Sequence, residues 1–278
     1  MLFRYPVQIH PLLGLVIVIA VWTGQFIEIL TLLVLVVVHE WGHLLAAEAY
    51  GWSIRGLELL PFGGLVQLDQ WGGITAKEEL VVSLAGPFQH VFLIIAGLFF
   101  YGVDWWNKEW TQFFIWCNVM IACFNLLPIY PLDGGRVIQA LLSLYFPYRI
   151  ALRVTGILSL CLSLLMIIFA LLSPGATVHL TMLLVGIFLF VLNIQFLRQI
   201  PFYQLRFLLH RTQQQQISQK VEWTKIKKGL PYKYWFHYLF RERYHFFQLV
   251  DEKNQVHETI TEDRLLQRYF KDHLRFDK

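Results

Sequence analysis

The residues best equipped for chemistry are His39-Glu40-Trp41-Gly42-His43. They follow the apolar run Thr31–Val38, which places them on a helix. Positions four apart share a helix face, so His39 and His43 can offer two imidazole nitrogens to one metal ion. Glu40 lies beside them and can take a proton from a water at that ion. The chemistry such a set supports is hydrolysis. A zinc ion used this way takes three protein ligands and keeps one position open, so one ligand must come from another segment. Asp133 is the best candidate. It closes the run Asn125-Leu126-Leu127-Pro128-Ile129-Tyr130-Pro131-Leu132-Asp133 and precedes Gly134-Gly135. Pro128 and Pro131 break a helix and free backbone groups, and the paired glycines permit tight turning. A carboxylate there can face a polar cavity. The competing reading is a helix N-cap, a position aspartate favours. Asn125 can bond a substrate backbone or a metal-held oxygen, and can equally satisfy helix carbonyls. His10, His90 and His179 stand singly near expected span ends and read as structural or interfacial. Cys117, Cys123 and Cys161 lie in apolar stretches with no CxxC pair, and read as small core residues.

The elements that must position these groups are membrane helices. The 278 residues are 56% hydrophobic and 15% charged, where a soluble domain carries about 25% charged residues. Residues 1–199 hold 8 Lys/Arg and 10 Asp/Glu, and residues 200–278 hold 15 and 9. The first part is suited to lipid and the last to water. Three organisational segments follow: a transmembrane part over 1–199, a linker over 200–220 that includes Gln213–Gln216, and a tail over 221–278. A bilayer core needs roughly 20 apolar helical residues. Six stretches meet this, near 8–25, 28–50, 76–101, 112–131, 151–172 and 178–198. The motif at 39–43 therefore falls inside a membrane span, where ionisable residues are costly and mark functional sites. Arg4, Arg55, Lys77, Arg136, Arg149, Arg153 and Arg198 fall on one side of these spans and Lys108 on the other, which orients both termini to the cytoplasm.

Residues 52–74 do not read as a span. Leu57–Leu68 has strand character interrupted by Pro61-Phe62-Gly63-Gly64. A re-entrant hairpin lining a cavity and a plain cytoplasmic loop both fit. In the tail, strands are expected at Val221–Ile226, Tyr244–Val250 and Val256–Ile260, with helices near 233–241 and 262–269. At about 60 residues such an α+β unit is marginal alone, which points to a partner or to homo-oligomers formed through the tail. No nucleic-acid partner is expected.

HEWGH at 39–43, PFGG at 61–64, AGP at 85–87 and NLLPIYPLDGG at 125–135 together resemble the site-2 protease family of intramembrane metalloproteases. The match covers most of residues 1–150. His90 stands where many members place an asparagine. The resemblance implies a polytopic α-helical membrane protein with one zinc ion per chain. It implies His39, His43 and Asp133 as ligands and Glu40 as base, with Asn125, Pro131 and Phe62-Gly63-Gly64 near the substrate. Within the family, the chain looks like a sporulation branch with six spans and a small cytoplasmic tail similar to a cystathionine-β-synthase (CBS) domain. That branch implies a bacterial cell membrane or forespore outer membrane. It implies cleavage of a membrane-associated sigma-factor precursor near its N-terminus, under control of membrane inhibitor proteins. CBS domains bind adenine nucleotides such as ATP through T-x-x-D. Here Asp263 follows Thr261 by only two, a departure from that pattern. Two rival readings are a transporter using His39, Glu40 and His43 as a proton path, and an inactive membrane scaffold acting through its tail.

Overall fold

The computed structural model describes residues 7–9, 11, 14, 18, 21–60, 63–68, 73–172, 177–213, 220–227, 229–251 and 255–273. Its long helices carry polar groups inside and large apolar groups outside. His39, Glu40, His43, His90, Asn118, Asp133, Ser159 and Asn193 are buried, while Phe92, Ile95, Phe99, Leu165, Phe169 and Leu184 are exposed. Polar groups inside and large apolar groups outside is the arrangement that lipid selects. Four helical segments are long and apolar enough to cross a bilayer: Phe26–Ala49, Ala76–Gly102, Tyr148–Leu172 and His179–Thr212. The chain is a membrane protein, with four candidate spans among the described residues. Of the other two stretches expected to span, 8–25 is described only in part, and its start is a strand.

The chain divides into two compact units. The first comprises Met1–Gln70, Lys77–Pro128 and Leu132–Val137. It holds strand β1 (Val7–Ile9), helix α1 (Phe26–Ala49), strands β2 (Ile54–Leu60) and β3 (Gly63–Leu68), most of helix α2 (Ala76–Gly102) and helix α3 (Lys108–Asn125). Helix α1 stops where Gly51 adopts φ 72°, a left-handed conformation that glycine takes without strain. Helix α3 starts where the Asn107 side chain accepts from the Trp110 N–H at 2.8 Å, an N-cap bond. It ends at Asn125, ahead of Pro128, so the stretch expected over 112–131 is a shorter helix shifted towards the N-terminus.

Strands β2 and β3 form the hairpin suggested by the Pro-Phe-Gly-Gly interruption, with Leu57 opposite Val66. Strand β1 adds to it in parallel, Val7 opposite Leu57. The sheet order β1-β2-β3 leaves β3 at an edge, packed against α1. Leu44 and Ala47 of α1 form a small core with Ile54 of β2 and Val82 of α2.

The second unit comprises Trp71–Ala76, Ile129–Pro131 and Ile138–Lys278. Helix α4 (Asp133–Tyr145) begins in the first unit and continues here. Helices α5 (Tyr148–Leu172) and α6 (Thr177–Gln213) pack together along their lengths. Leu152 of α5 meets Phe196 and Ile200 of α6. Residues 201–213, which the charge break suggests as linker, are helical and extend α6 beyond the apolar stretch. Phe207 and Leu208 of that extension sit in the core of the tail, with Ile226, Trp235, Phe236, Phe247, Ile260 and Leu265.

The tail sheet has strands β4 (Val221–Lys227), β5 (Tyr244–Val250) and β6 (Val256–Thr261), with β4 parallel and β6 antiparallel to β5. Helix α7 (Glu262–His273) follows. The helix expected near 233–241 is instead a 3-10 helix over Tyr232–Tyr238. Its sequence, Tyr-Lys-Tyr-Trp-Phe-His-Tyr, is poor in strong helix formers, and Trp235 and Phe236 are held by the core rather than by a regular α ladder.

Candidate metal centre

The candidate centre is built within the first unit. Helix α1 brings the Nε2 atoms of His39 and His43 to 3.2 Å from each other. Helix α4 starts at Asp133, whose Oδ2 stands 3.1 Å from each of those nitrogens. The three atoms form a nearly equilateral triangle. A tetrahedron with bonds of about 2.0 Å has edges of about 3.3 Å, so a zinc ion matches this spacing. Two imidazoles and a carboxylate are also a donor set of catalytic zinc, which leaves a fourth position open. The residues present fit the ion. Asp133 opens its helix, yet its side chain turns to the imidazoles. His43 Nδ1 donates to the Val82 carbonyl at 2.7 Å, which leaves Nε2 as the free lone pair. Glu40 is buried on the same helix turn as the two histidines.

Small residues bring α1 and α2 close enough to enclose the site. A Cβ placed on Gly42 would lie 2.6 Å from the Ala85 carbonyl oxygen. A Cβ on Gly86 would lie 2.3 Å from His43 Nε2 and 2.8 Å from His39 Nε2. Glycine at 86 is thus required by the imidazoles themselves. On the Asp133 side, a Cβ on Gly134 would lie 2.2 Å from the Leu126 carbonyl oxygen, so the turn after Asp133 is packed directly on backbone.

His90 is misplaced by the sequence reading. It is in the middle of α2, 1% exposed, with Nε2 3.0 Å from His39 Nδ1. Its other nitrogen is 2.8 Å from Oδ1 of Asn118, which is fully buried on α3. A single histidine in an apolar helix carries little signal. The one available was spacing: Gly86 and His90 are four apart and share a face of α2, and that face meets the motif helix.

The remaining expected site residues are distributed as follows. Asn125 ends α3 and donates from Nδ2 to the Ile121 carbonyl at 3.0 Å, the helix-satisfying option. Gly63 and Gly64 open β3, opposite Leu60 and Leu59. Phe62 lies outside the described residues. Pro131 follows a cis peptide bond and belongs to the second unit. There the backbone of Tyr130 is held from both sides, its N–H by Ser159 Oγ at 2.8 Å and its carbonyl by the Asn193 amide at 2.6 Å. In the tail, Asp263 accepts a 2.6 Å hydrogen bond from the Tyr244 hydroxyl. Burial and this carboxylate push the Tyr244 phenol up to about 12. Thr261 Oγ1 accepts from the Arg264 N–H.

Comparison with known proteins gives a consistent picture. Residues 27–106 and 103–172 match the model of peptidase family M50. Stage IV sporulation protein FB of Bacillus subtilis is 35% identical over 205 residues, 74% of this chain and 70% of that protein. A zinc metalloprotease of Methanocaldococcus jannaschii is 32% identical over 200 residues, 66% of this chain and 56% of that protein. Among solved structures, the site-2 protease from Methanocaldococcus jannaschii is similar with a TM-score of 0.55 at 27% identity, covering 71% of this chain and 93% of that one.

Proposed function

The chain belongs to peptidase family M50 and is a zinc metalloprotease of the site-2 protease kind, and on that premise we propose that it cuts a membrane-associated protein at the centre formed by His39, His43 and Asp133. The observation that carries the proposal is the meeting of three ligand atoms, from segments 90 or more residues apart, beside a buried Glu40. His39, His43 and Asp133 hold one zinc ion per chain. The bound ion supplies Lewis acidity towards a carbonyl oxygen and lowers the pKa of a water to about 7. Glu40 takes the proton of the attacking water and returns it to the leaving amine. The enclosing helices keep bulk water away from these groups, which strengthens every electrostatic contact in the site.

A helical substrate conceals its carbonyls, so the segment to be cut must be extended. The edge strand β3, packed on the helix that carries the motif, supports binding by strand addition. Gly63 and Gly64 at its start, with Phe62 before them, are then close to the substrate; for Asn125 and Pro131 a place near the substrate is what the family resemblance implies. Helix α3 and the N-terminal stretch complete six spans, and both termini face the cytoplasm. The likeness to a sporulation protein supports a sigma-factor precursor as substrate; control by membrane proteins is what the resemblance to the sporulation branch implies. The tail's strand and helix order supports a CBS-like regulatory unit.

The test is co-expression of this chain with a membrane-associated sigma-factor precursor in a heterologous bacterium. The native chain should yield a shortened product and Glu40→Gln none. Cleavage of equal efficiency by Glu40→Gln would remove Glu40 from the chemistry.

A further inference from the structure

The two zinc-ligand histidines are oriented by different means, and the difference singles out His90 and Asn118. Nδ1 of His43 meets a backbone carbonyl, that of Val82, which any residue at 82 would supply. Nδ1 of His39 meets a side chain, and that side chain meets another. His39 Nδ1 is 3.0 Å from His90 Nε2, His90 Nδ1 is 2.8 Å from Asn118 Oδ1, and Asn118 Nδ2 donates to the Phe114 carbonyl at 2.8 Å.

The proton positions follow from the fixed end of this series. The Phe114 carbonyl can only accept, so the Asn118 amide turns its NH2 towards it and its Oδ1 towards His90. That oxygen can only accept, so His90 carries its proton on Nδ1. The neutral ring then presents a lone pair at Nε2. His39 must therefore donate from Nδ1, which leaves its Nε2 lone pair facing His43 Nε2 and Asp133 Oδ2. Three helices contribute to this line, α1, α2 and α3, and every side chain in it is buried. A buried polar line with all its members paired fixes one geometry.

We propose that His90 and Asn118 are positioning residues that set the tautomer and ring orientation of His39, and thereby the affinity of the centre for zinc. The proposal rests on the zinc reading of His39, His43 and Asp133. Outer partners of metal-bound histidines typically change metal affinity by about 10- to 100-fold.

The experiment measures zinc affinity of the purified full chain in detergent, by competition with a chelator, and melting of the metal-free protein. Four proteins are compared: native, His90→Phe, His90→Gln and Asn118→Leu. Phenylalanine keeps the ring's shape and loses the acceptor. Glutamine places an amide oxygen about where the histidine Nε2 stands and keeps it. His90→Phe and Asn118→Leu should weaken zinc binding by about 10- to 100-fold, while His90→Gln stays near native. Native affinity in His90→Phe would overturn the proposal. So would equal weakening in His90→Gln and His90→Phe, since the acceptor would then be irrelevant. Loss of zinc that only parallels a lower metal-free melting temperature would assign both residues to packing, again against the proposal. A native chain that binds no zinc is a separate outcome, which defeats the metal reading itself.

Discussion

Replacing Gly86 by alanine should abolish zinc binding while leaving the metal-free fold close to intact. The added Cβ would stand 2.3 Å from His43 Nε2, 2.6 Å from His43 Cε1 and 2.8 Å from His39 Nε2, where ordinary contact begins at 3.4 Å. The nearest atom must therefore retreat by about 1 Å. Both imidazoles are ends of side chains, so the protein can yield by turning the rings, and overpacking of this kind typically costs about 1–3 kcal/mol. The metal cannot yield in the same way. Zinc–ligand distances hold within about 0.2 Å, so a shift of about 1 Å in one ligand nitrogen dismantles the site. Misplacement of that size also costs about 100-fold or more in rate. The assay is elemental analysis of the purified protein together with cleavage of a membrane-tethered precursor. Gly102→Ala is the control, since a Cβ there has open space within 4 Å. Gly86→Ala should lose both zinc and cleavage, and Gly102→Ala neither. A Gly86→Ala protein with a full complement of zinc and native cleavage would refute the geometry on which the centre is built.

Gly134→Ala should lose zinc and also destabilise the fold, because its Cβ would meet the Leu126 backbone oxygen at 2.2 Å and backbone gives way less readily than a ring; thermal unfolding with zinc analysis separates it from Gly86→Ala. Proline substitutions across positions 66–68 of β3 should reduce cleavage and leave zinc content unchanged, since proline removes donors from an edge strand; undiminished cleavage would rule out strand addition there. In the tail, Glu262 accepts from the His245 N–H at 3.1 Å and pairs with Arg211, which also donates to the Arg243 carbonyl at 2.8 Å. Burial alone would raise the Glu262 carboxyl, but its hydrogen bond with His245 and the Arg211 charge outweigh that and hold it below the usual range. Its contribution to stability is therefore present above pH 4.5 and lost as pH falls through the lower folded value. Hydrogen exchange of β5 and α7 amides should accelerate in that acid window. Arg211→Ala, which strands a buried carboxylate, should cost about 3–5 kcal/mol at neutral pH by the same measurement.

The motif at 39–43 was legible because its geometry is local: four residues of helix bring two imidazoles to one face whatever surrounds them. The hairpin of β2 and β3 was legible for a similar reason, its turn being marked by Pro61 and the paired glycines. Asp133 needed more than its own segment, since an aspartate before Gly-Gly caps a helix as readily as it binds a metal; the motif elsewhere in the chain and the family resemblance decided the reading. What stayed hidden depends on which faces of different helices meet. Gly86 matters because α1 approaches α2 there, and His90 and Asn118 because α2 and α3 bring them into line behind His39. No periodicity within one helix reports that. Strand β1 was missed because Val7-Gln8-Ile9 adjoins an apolar run that reads as the start of a span. The break in charge near residue 200 marks where apolar composition ends, and α6 continues past it because Phe207 and Leu208 have the tail's core to bury against.

The central claim is that Asp133, 90 residues from His43, completes one zinc site with the two histidines. The most direct measurement is the zinc content of the purified full chain and of Asp133→Asn, each washed with a weak chelator. One ion per native chain and none in Asp133→Asn is the result this structure predicts. Full zinc retention by Asp133→Asn, or a native chain that holds none, would contradict it.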